Sequence, residues 1–187
     1  MNEITKAIEH QKKGEFEKAK TIYETILKTD PENYKILGLL AIVYLQTNND
    51  DQCIEILRKA IKINSLDISN NINLGIVLKK NGKINEAIEC YLKVIKIDNK
   101  NSKAYFNLGL INHQKGEIND AITNYKKTVE INPKKVEAFY NLGNSYCALK
   151  DFNEAINYYI KAIAIDPTHE PAFYNLGYAY HRTGDLA

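Results

Sequence analysis

An all-α fold built from stacked helix–turn–helix repeats is what this chain of 187 residues predicts. Three observations carry the prediction. One phrase recurs at Ile72-Asn73-Leu74-Gly75, Phe106-Asn107-Leu108-Gly109, Tyr140-Asn141-Leu142-Gly143 and Tyr174-Asn175-Leu176-Gly177, and its glycines step by 34 residues. A fixed period of that length marks a repeat array. Helix breakers fall at constant offsets inside each period, and the stretches between them are apolar at helical spacing.

Setting Gly75 as position 8 divides the chain into repeats at about 1–33, 34–67, 68–101, 102–135 and 136–169, with a partial sixth at 170–187 and no insertion or deletion. Position 15 holds Gly14, Asn48, Gly82, Gly116, Lys150 and Gly184; position 32 holds Pro31, Ser65, Asn99, Pro133 and Pro167. These breakers split each repeat into a helix A and a helix B. In the fourth repeat, helix A is expected over 102–115, with Tyr105, Leu108 and Asn112 on one face. Helix B is expected over 117–131, with Ile118, Ala121, Ile122 and Tyr125 on one face. Gly116 permits the turn between them, and Pro133 cannot continue helix B. The small residues Gly109 and Ala121 would let two helix backbones approach closely, where a large side chain would overpack by roughly 1–3 kcal/mol. Tyr23, Leu57, Tyr91, Tyr125 and Tyr159 recur at position 24. That stripe reads as core between helices rather than as a ligand box.

The two ends differ from the middle. Glu3, Lys6 and His10 stand where other repeats are apolar, which suits an N-terminal end facing water. Ala187 is position 18 of the sixth repeat, whose helix B is missing. Phe173, Leu176 and Tyr180 are therefore expected to lack part of their packing, and the natural chain is expected to continue or this end to be covered. Self-association through this open end is one such cover.

Composition narrows the function. Apolar residues are 44% and charged residues 26%, and the net charge is +2. The lysine pairs Lys79-Lys80, Lys126-Lys127 and Lys134-Lys135 are scattered among acids, so a nucleic-acid partner is not expected. No stretch approaches a membrane span and the first residues lack an apolar signal core, which points to a cytoplasmic protein without a membrane partner. Cys53, Cys90 and Cys147 are odd in number and share no ligand spacing; free thiols are expected. His10, His113, His169 and His181 show no metal-binding spacing, and no phosphate loop is present. No catalytic residue, metal or cofactor is expected within these residues, so the chain is not read as an enzyme.

The markers at Leu37, Tyr105, Phe139 and Phe173 (position 4), Leu-Gly or Leu-Ala at positions 7 and 8, Tyr44, Tyr146 and Tyr180 (position 11), alanine at position 20 and proline at position 32 resemble the tetratricopeptide repeat (TPR) family over essentially the whole chain. The departures are Asn71 where a large apolar residue is usual, Asn112 in place of tyrosine, Ser65 and Asn99 in place of proline, and Thr128 in place of alanine; they place local stability in question. The resemblance implies a single array forming a right-handed α-solenoid, with helix A on the concave side and positions 2, 5, 6, 9, 12 and 13 pointing inward.

On that face, position 6 reads Asn73, Asn107, Asn141 and Asn175 in four consecutive repeats. A carboxamide offers two donors and a double acceptor, so the ladder is suited to pairing with the backbone of an extended peptide. Phe106, Tyr140 and Tyr174 at position 5, with Leu110, Asn144 and Tyr178 at position 9, complete the candidate peptide-binding face. Such aromatic residues give contact area with few rotors to freeze. The expected function is a protein-interaction scaffold holding an extended segment of a partner. The family's carboxylate clamp for the chaperones Hsp70 and Hsp90 is disfavoured, because position 5 never carries Lys and position 6 never carries Arg. The Asn ladder also looks like the N-terminal arm of O-GlcNAc-transferase-type glycosyltransferases. That resemblance implies the alternative of a substrate-recruiting arm whose catalytic domain lies beyond residue 187.

Overall fold

The computed structural model describes residues 2–184, so Ala187 and its place in the sixth repeat lie outside the described residues. Among the described residues there are eleven helices and no strand: α1 (Glu3–Lys12), α2 (Phe16–Thr29), α3 (Tyr34–Gln46), α4 (Asp50–Ile63), α5 (Ile68–Lys80), α6 (Ile84–Ile97), α7 (Ser102–Gln114), α8 (Ile118–Ile131), α9 (Val136–Ala148), α10 (Phe152–Ile165) and α11 (Glu170–Thr183). The odd-numbered helices are the A helices of the sequence register, and the even-numbered ones are the B helices. The chain forms two compact units, residues 1–98 and 99–187. In the first, α1 to α6 pack each on the next in chain order, and α3 also touches α5. In the second, α7 to α11 do the same, and α9 touches α11. This is the consecutive packing of a helical repeat solenoid.

Local chemistry sets the boundaries. Asn33, Asp67 and Asn101 cap α3, α5 and α7, each side chain accepting from a backbone N–H of the first turn. The turn inside each repeat uses a left-handed residue at position 15: Gly14, Gly82 and Gly116 at φ of 76°, 74° and 79°, with Asn48 at 58° and Lys150 at 62°. Asparagine tolerates that conformation through its short polar side chain, whereas Lys150 takes it at a cost of roughly 1–2 kcal/mol.

The sequence suggested that Gly109 and Ala121 bring two backbones together. The structure gives the glycine a different role. A Cβ on Gly75 would lie 2.6 Å from the Tyr91 ring, and one on Gly109 would lie 2.5 Å from the Tyr125 ring. Gly143 meets Tyr159 in the same way. Position 8 is therefore a seat for the position-24 ring, and Ala121 lies fully buried beside it. In the first two repeats these positions hold Ala7 and Tyr23, in one buried cluster, and Ala41 and Leu57, both buried.

The departures are accommodated individually. Asn71 is buried, and its Nδ2 donates to the carbonyls of Asp67 at 2.7 Å and Ser65 at 3.2 Å. The asparagine that replaces an apolar residue is thus satisfied by backbone carbonyls of the preceding loop and turn. Thr128 and Ser145 are buried and donate to the carbonyls of Asn124 and Asn141, four residues back, at 2.9 and 2.8 Å. The buried donors of Asn71, Thr128 and Ser145 therefore each have a partner and escape the desolvation penalty.

The tyrosine hydroxyls differ from repeat to repeat. Tyr23 Oη donates to Gln11 Oε1 at 3.3 Å, and Tyr159 Oη donates to Asn144 Oδ1 at 2.8 Å. Tyr91 Oη and Tyr125 Oη are buried with no hydrogen-bond partner. Position 9, which supplies Asn144 to Tyr159, holds Ile76 and Leu110 in their repeats.

At the ends, Glu3 and Lys6 are exposed, and His10 pairs with Glu15. On α11, Phe173 and Tyr178 are each 48% exposed and Tyr174 81%, while Leu176 and Tyr180 are half-buried against α10. Among the described residues nothing lies within 4 Å of a Cβ built on Gly177. The three cysteines are free thiols.

Two outcomes follow. Tyr125→Phe is expected to leave thermal stability unchanged or slightly raised, since it removes a buried hydroxyl that bonds nothing; Tyr159→Phe should cost about 1 kcal/mol by removing a made bond. Equal losses from both would refute this distinction. Burial pushes the Cys53 and Cys90 thiols up to about 11, so at pH 8 only about one in a thousand is thiolate. In native protein both should resist iodoacetamide and react freely once unfolded; modification at the unfolded rate would contradict it.

Candidate functional site

The candidate residues lie on the A helices of both units. In the second unit, α7 carries Phe106, Asn107 and Leu110. Phe106 is half-buried, with its ring centroid 5.9 Å from that of Tyr125 and the Lys135 ammonium 5.0 Å away. Asn107 Nδ2 donates to the carbonyl of Lys103 on its own helix at 2.9 Å. Leu110 packs on the cluster around Tyr125 and Leu142.

On α9, the Tyr140 ring lies 6.0 Å from that of Tyr159 and 5.0 Å from the His169 ring. Asn144 Oδ1 accepts from Tyr159 Oη at 2.8 Å and from Asn175 Nδ2 at 2.9 Å; Asn175 Nδ2 also lies 3.2 Å from Tyr140 Oη. Tyr159, Asn144, Asn175 and Tyr140 thus form one network that joins α9, α10 and α11. The expectation of a uniform ladder of carboxamides facing a ligand meets a physical limit here. Both the Asn144 oxygen and the Asn175 amide are engaged in holding helices together. Asn141 differs: its carboxamide is half-buried and outside that network.

On α11, Tyr174 is open, and Tyr178 meets Phe152 edge-on at 6.3 Å. The Arg182 guanidinium lies 5.0 Å from the Phe152 centroid and 5.9 Å from that of Tyr178, and its Nη1 donates to Tyr178 Oη at 3.3 Å. The candidate rings therefore divide into two kinds. Phe106 and Tyr140 are largely spent on packing, while Tyr174 and Tyr178 present surface.

In the first unit, Asn73 lies on the wall of a groove of about 370 Å³ formed by two consecutive A helices. Lys35, Gly38, Leu39 and Ile42 of α3 form one side; Asp67 at the cap of α5, with Ser69, Asn70 and Asn73, forms the other. These are positions 2, 5, 6 and 9 of one repeat and the start of the next. Of this set the sequence reading singled out Asn73 alone as a site residue. The signal for the rest was in the position-5 column, where Gly38 is the one residue without a side chain. Among the described residues no group of three or more His, Cys, Asp or Glu could hold a metal ion. No described helix is long and apolar enough to cross a membrane.

Comparison with known proteins bears on the fold. Family models described as TPR repeat match residues 75–116, 111–150 and 143–184, and one described as tetratricopeptide repeat matches 11–70. No curated protein matches the sequence. A crystal structure of MamA is similar at TM-score 0.78 and 27% identity, covering 86% of this chain and 94% of that one. YrrB, whose structure is described as a TPR protein with an unusual peptide-binding site, is similar at TM-score 0.73 and 23% identity, covering 92% of this chain and 89% of its own. PilF of Pseudomonas aeruginosa is similar at TM-score 0.89 and 19% identity, covering 98% and 83%. With family models matching most of its length and the repeat packing seen in both units, the chain belongs to the tetratricopeptide repeat family.

Proposed function

We propose that this protein is an interaction module that holds an extended peptide segment of a partner on the A-helix faces of its units. The observation that carries the reading is the groove of the first unit. Its walls come from positions 2, 5, 6 and 9 of α3 and from the cap and positions 2, 3 and 6 of α5, and it combines the apolar surface of Leu39 and Ile42 with the carboxamide of Asn73. Concave sites of this kind bind through apolar area plus a few placed polar groups. Asn73 and Asn141 recur at one register position. A carboxamide there can give a donor and an acceptor to a peptide backbone whatever the peptide's side chains are. The peptide-binding site named for YrrB supports the same reading by analogy. The reading is non-catalytic.

The network around Asn144 and Asn175 divides the asparagines in two. For a peptide selected by display on the full chain, Asn73→Ala or Asn141→Ala should weaken affinity about fivefold for each hydrogen bond lost and leave the melting temperature in place. Asn144→Ala or Asn175→Ala should lower the melting temperature itself, because each leaves a partner in the network unpaired. Unchanged affinity after both Asn73→Ala and Asn141→Ala would remove the proposal.

A further inference from the structure

The groove of the first unit exists because of one exchange between repeats. Position 5 carries Ile4, Ile72, Phe106, Tyr140 and Tyr174 elsewhere, but Gly38 in the second repeat. A Cβ on Gly38 would collide with Asn70 Oδ1, so the Asn70 carboxamide occupies the space that a position-5 side chain would take. Asn70 is buried and held from two sides. Its Nδ2 donates to the Tyr34 carbonyl at 3.1 Å, and its N–H donates to Asp67 Oδ1 at 2.7 Å. A short amide therefore replaces a bulky side chain, and the space above it stays open between Leu39 and Ile42. At about 370 Å³ the groove stands at the low end of ligand sites, which suits one or two side chains rather than a large cofactor.

Charge defines the rim. At positions 2, 5, 6, 9, 12 and 13 of α1, α3 and α5 the charged residues are Lys12, Lys35, Lys79 and Lys80, all basic. Lys80 is paired with Asp50 at 2.8 Å. Lys35 lines the groove, is exposed, and makes no ion pair among the described residues. Its ammonium lies 6.0 Å from the Tyr34 ring centroid. The acid that also lines the groove, Asp67, is the N-cap of α5, where the helix N-terminus offsets its charge. An apolar floor with an uncompensated cation at its edge is complementary to an apolar side chain next to an acid.

We propose, resting on the peptide-binding reading above, that the first unit selects extended segments in which a bulky apolar side chain is flanked by carboxylates. The apolar side chain enters over Gly38 between Leu39 and Ile42, a carboxylate meets Lys35, and the Asn73 carboxamide takes the backbone.

Three fluorescein-labelled peptides titrated into the full chain test this by anisotropy: Asp-Glu-Phe-Asp-Glu, the same with Ser for Phe, and Lys-Lys-Phe-Lys-Lys. The acidic Phe peptide should bind saturably and at least tenfold tighter than either control. It should weaken about tenfold in Lys35→Glu and several-fold between 50 and 500 mM NaCl. Comparable binding of either control, or no change in a Lys35→Glu chain of unaltered circular dichroism, overturns the proposal. Should Lys35→Glu fail to fold, Lys35→Ala and the salt titration decide it in the same terms. Peptides from an unbiased display that lose affinity with Asn141→Ala but not with Lys35→Glu would uphold the peptide-binding reading and remove this one. No peptide binding of any class would remove both.

Discussion

A tyrosine ring resting on a glycine is the contact on which the geometry of the later repeats depends. Tyr91 on Gly75, Tyr125 on Gly109 and Tyr159 on Gly143 each fix how closely a B helix lies against the A helix before it. The ring is large and rigid, so it sets the spacing; the glycine removes the one atom that would push it away. In the first two repeats the same positions hold Ala7 and Tyr23, which share one buried cluster, and Ala41 and Leu57, both buried. In the third to fifth repeats the contact recurs at one offset, from position 24 of helix B to position 8 of helix A.

The same contact has a polar tip, and here the repeats diverge. Tyr159 passes its hydrogen bond to Asn144, which also receives Asn175, and Tyr140 joins the same amide. A core residue is thereby linked to three side chains on the A-helix face. In the third and fourth repeats Ile76 and Leu110 stand at the equivalent place, and the Tyr91 and Tyr125 hydroxyls stay unpaired. The A helices of the first unit thus carry an open groove over Gly38, while α9 and α11 of the second carry the linked amides and rings. Position 9 makes the difference: Ile76 and Leu110 offer the ring hydroxyl no acceptor, whereas Asn144 accepts from Tyr159.

The repeat, the helix boundaries and the small residues were legible in the sequence because each depends on local offsets. The helix pair expected at 102–115 and 117–131 differs from α7 and α8 by a residue at the helix ends. Contacts between side chains and their surroundings were not legible. That Gly75 seats a ring rather than a backbone depends on where Tyr91 points. That Asn71 is satisfied although buried depends on a carbonyl six residues back. The Asn column was visible at once, but period alone could not separate Asn73 on a groove wall from Asn175 bonded to Tyr140 and Asn144. The groove itself was written as an omission, a glycine in a column of large side chains, and its meaning required the Asn70 carboxamide that fills the gap.

The central claim is that the A-helix faces receive an extended peptide while the B helices support them. Amide chemical-shift mapping of the labelled full chain, titrated with a display-selected peptide, tests it most directly. The account predicts saturable shifts clustered at positions 2, 5, 6 and 9 of the A helices, including Leu39, Ile42, Asn73 and Asn141. Shifts confined to exposed B-helix residues such as Leu92 and Ile160, or to the turns within repeats, would contradict it.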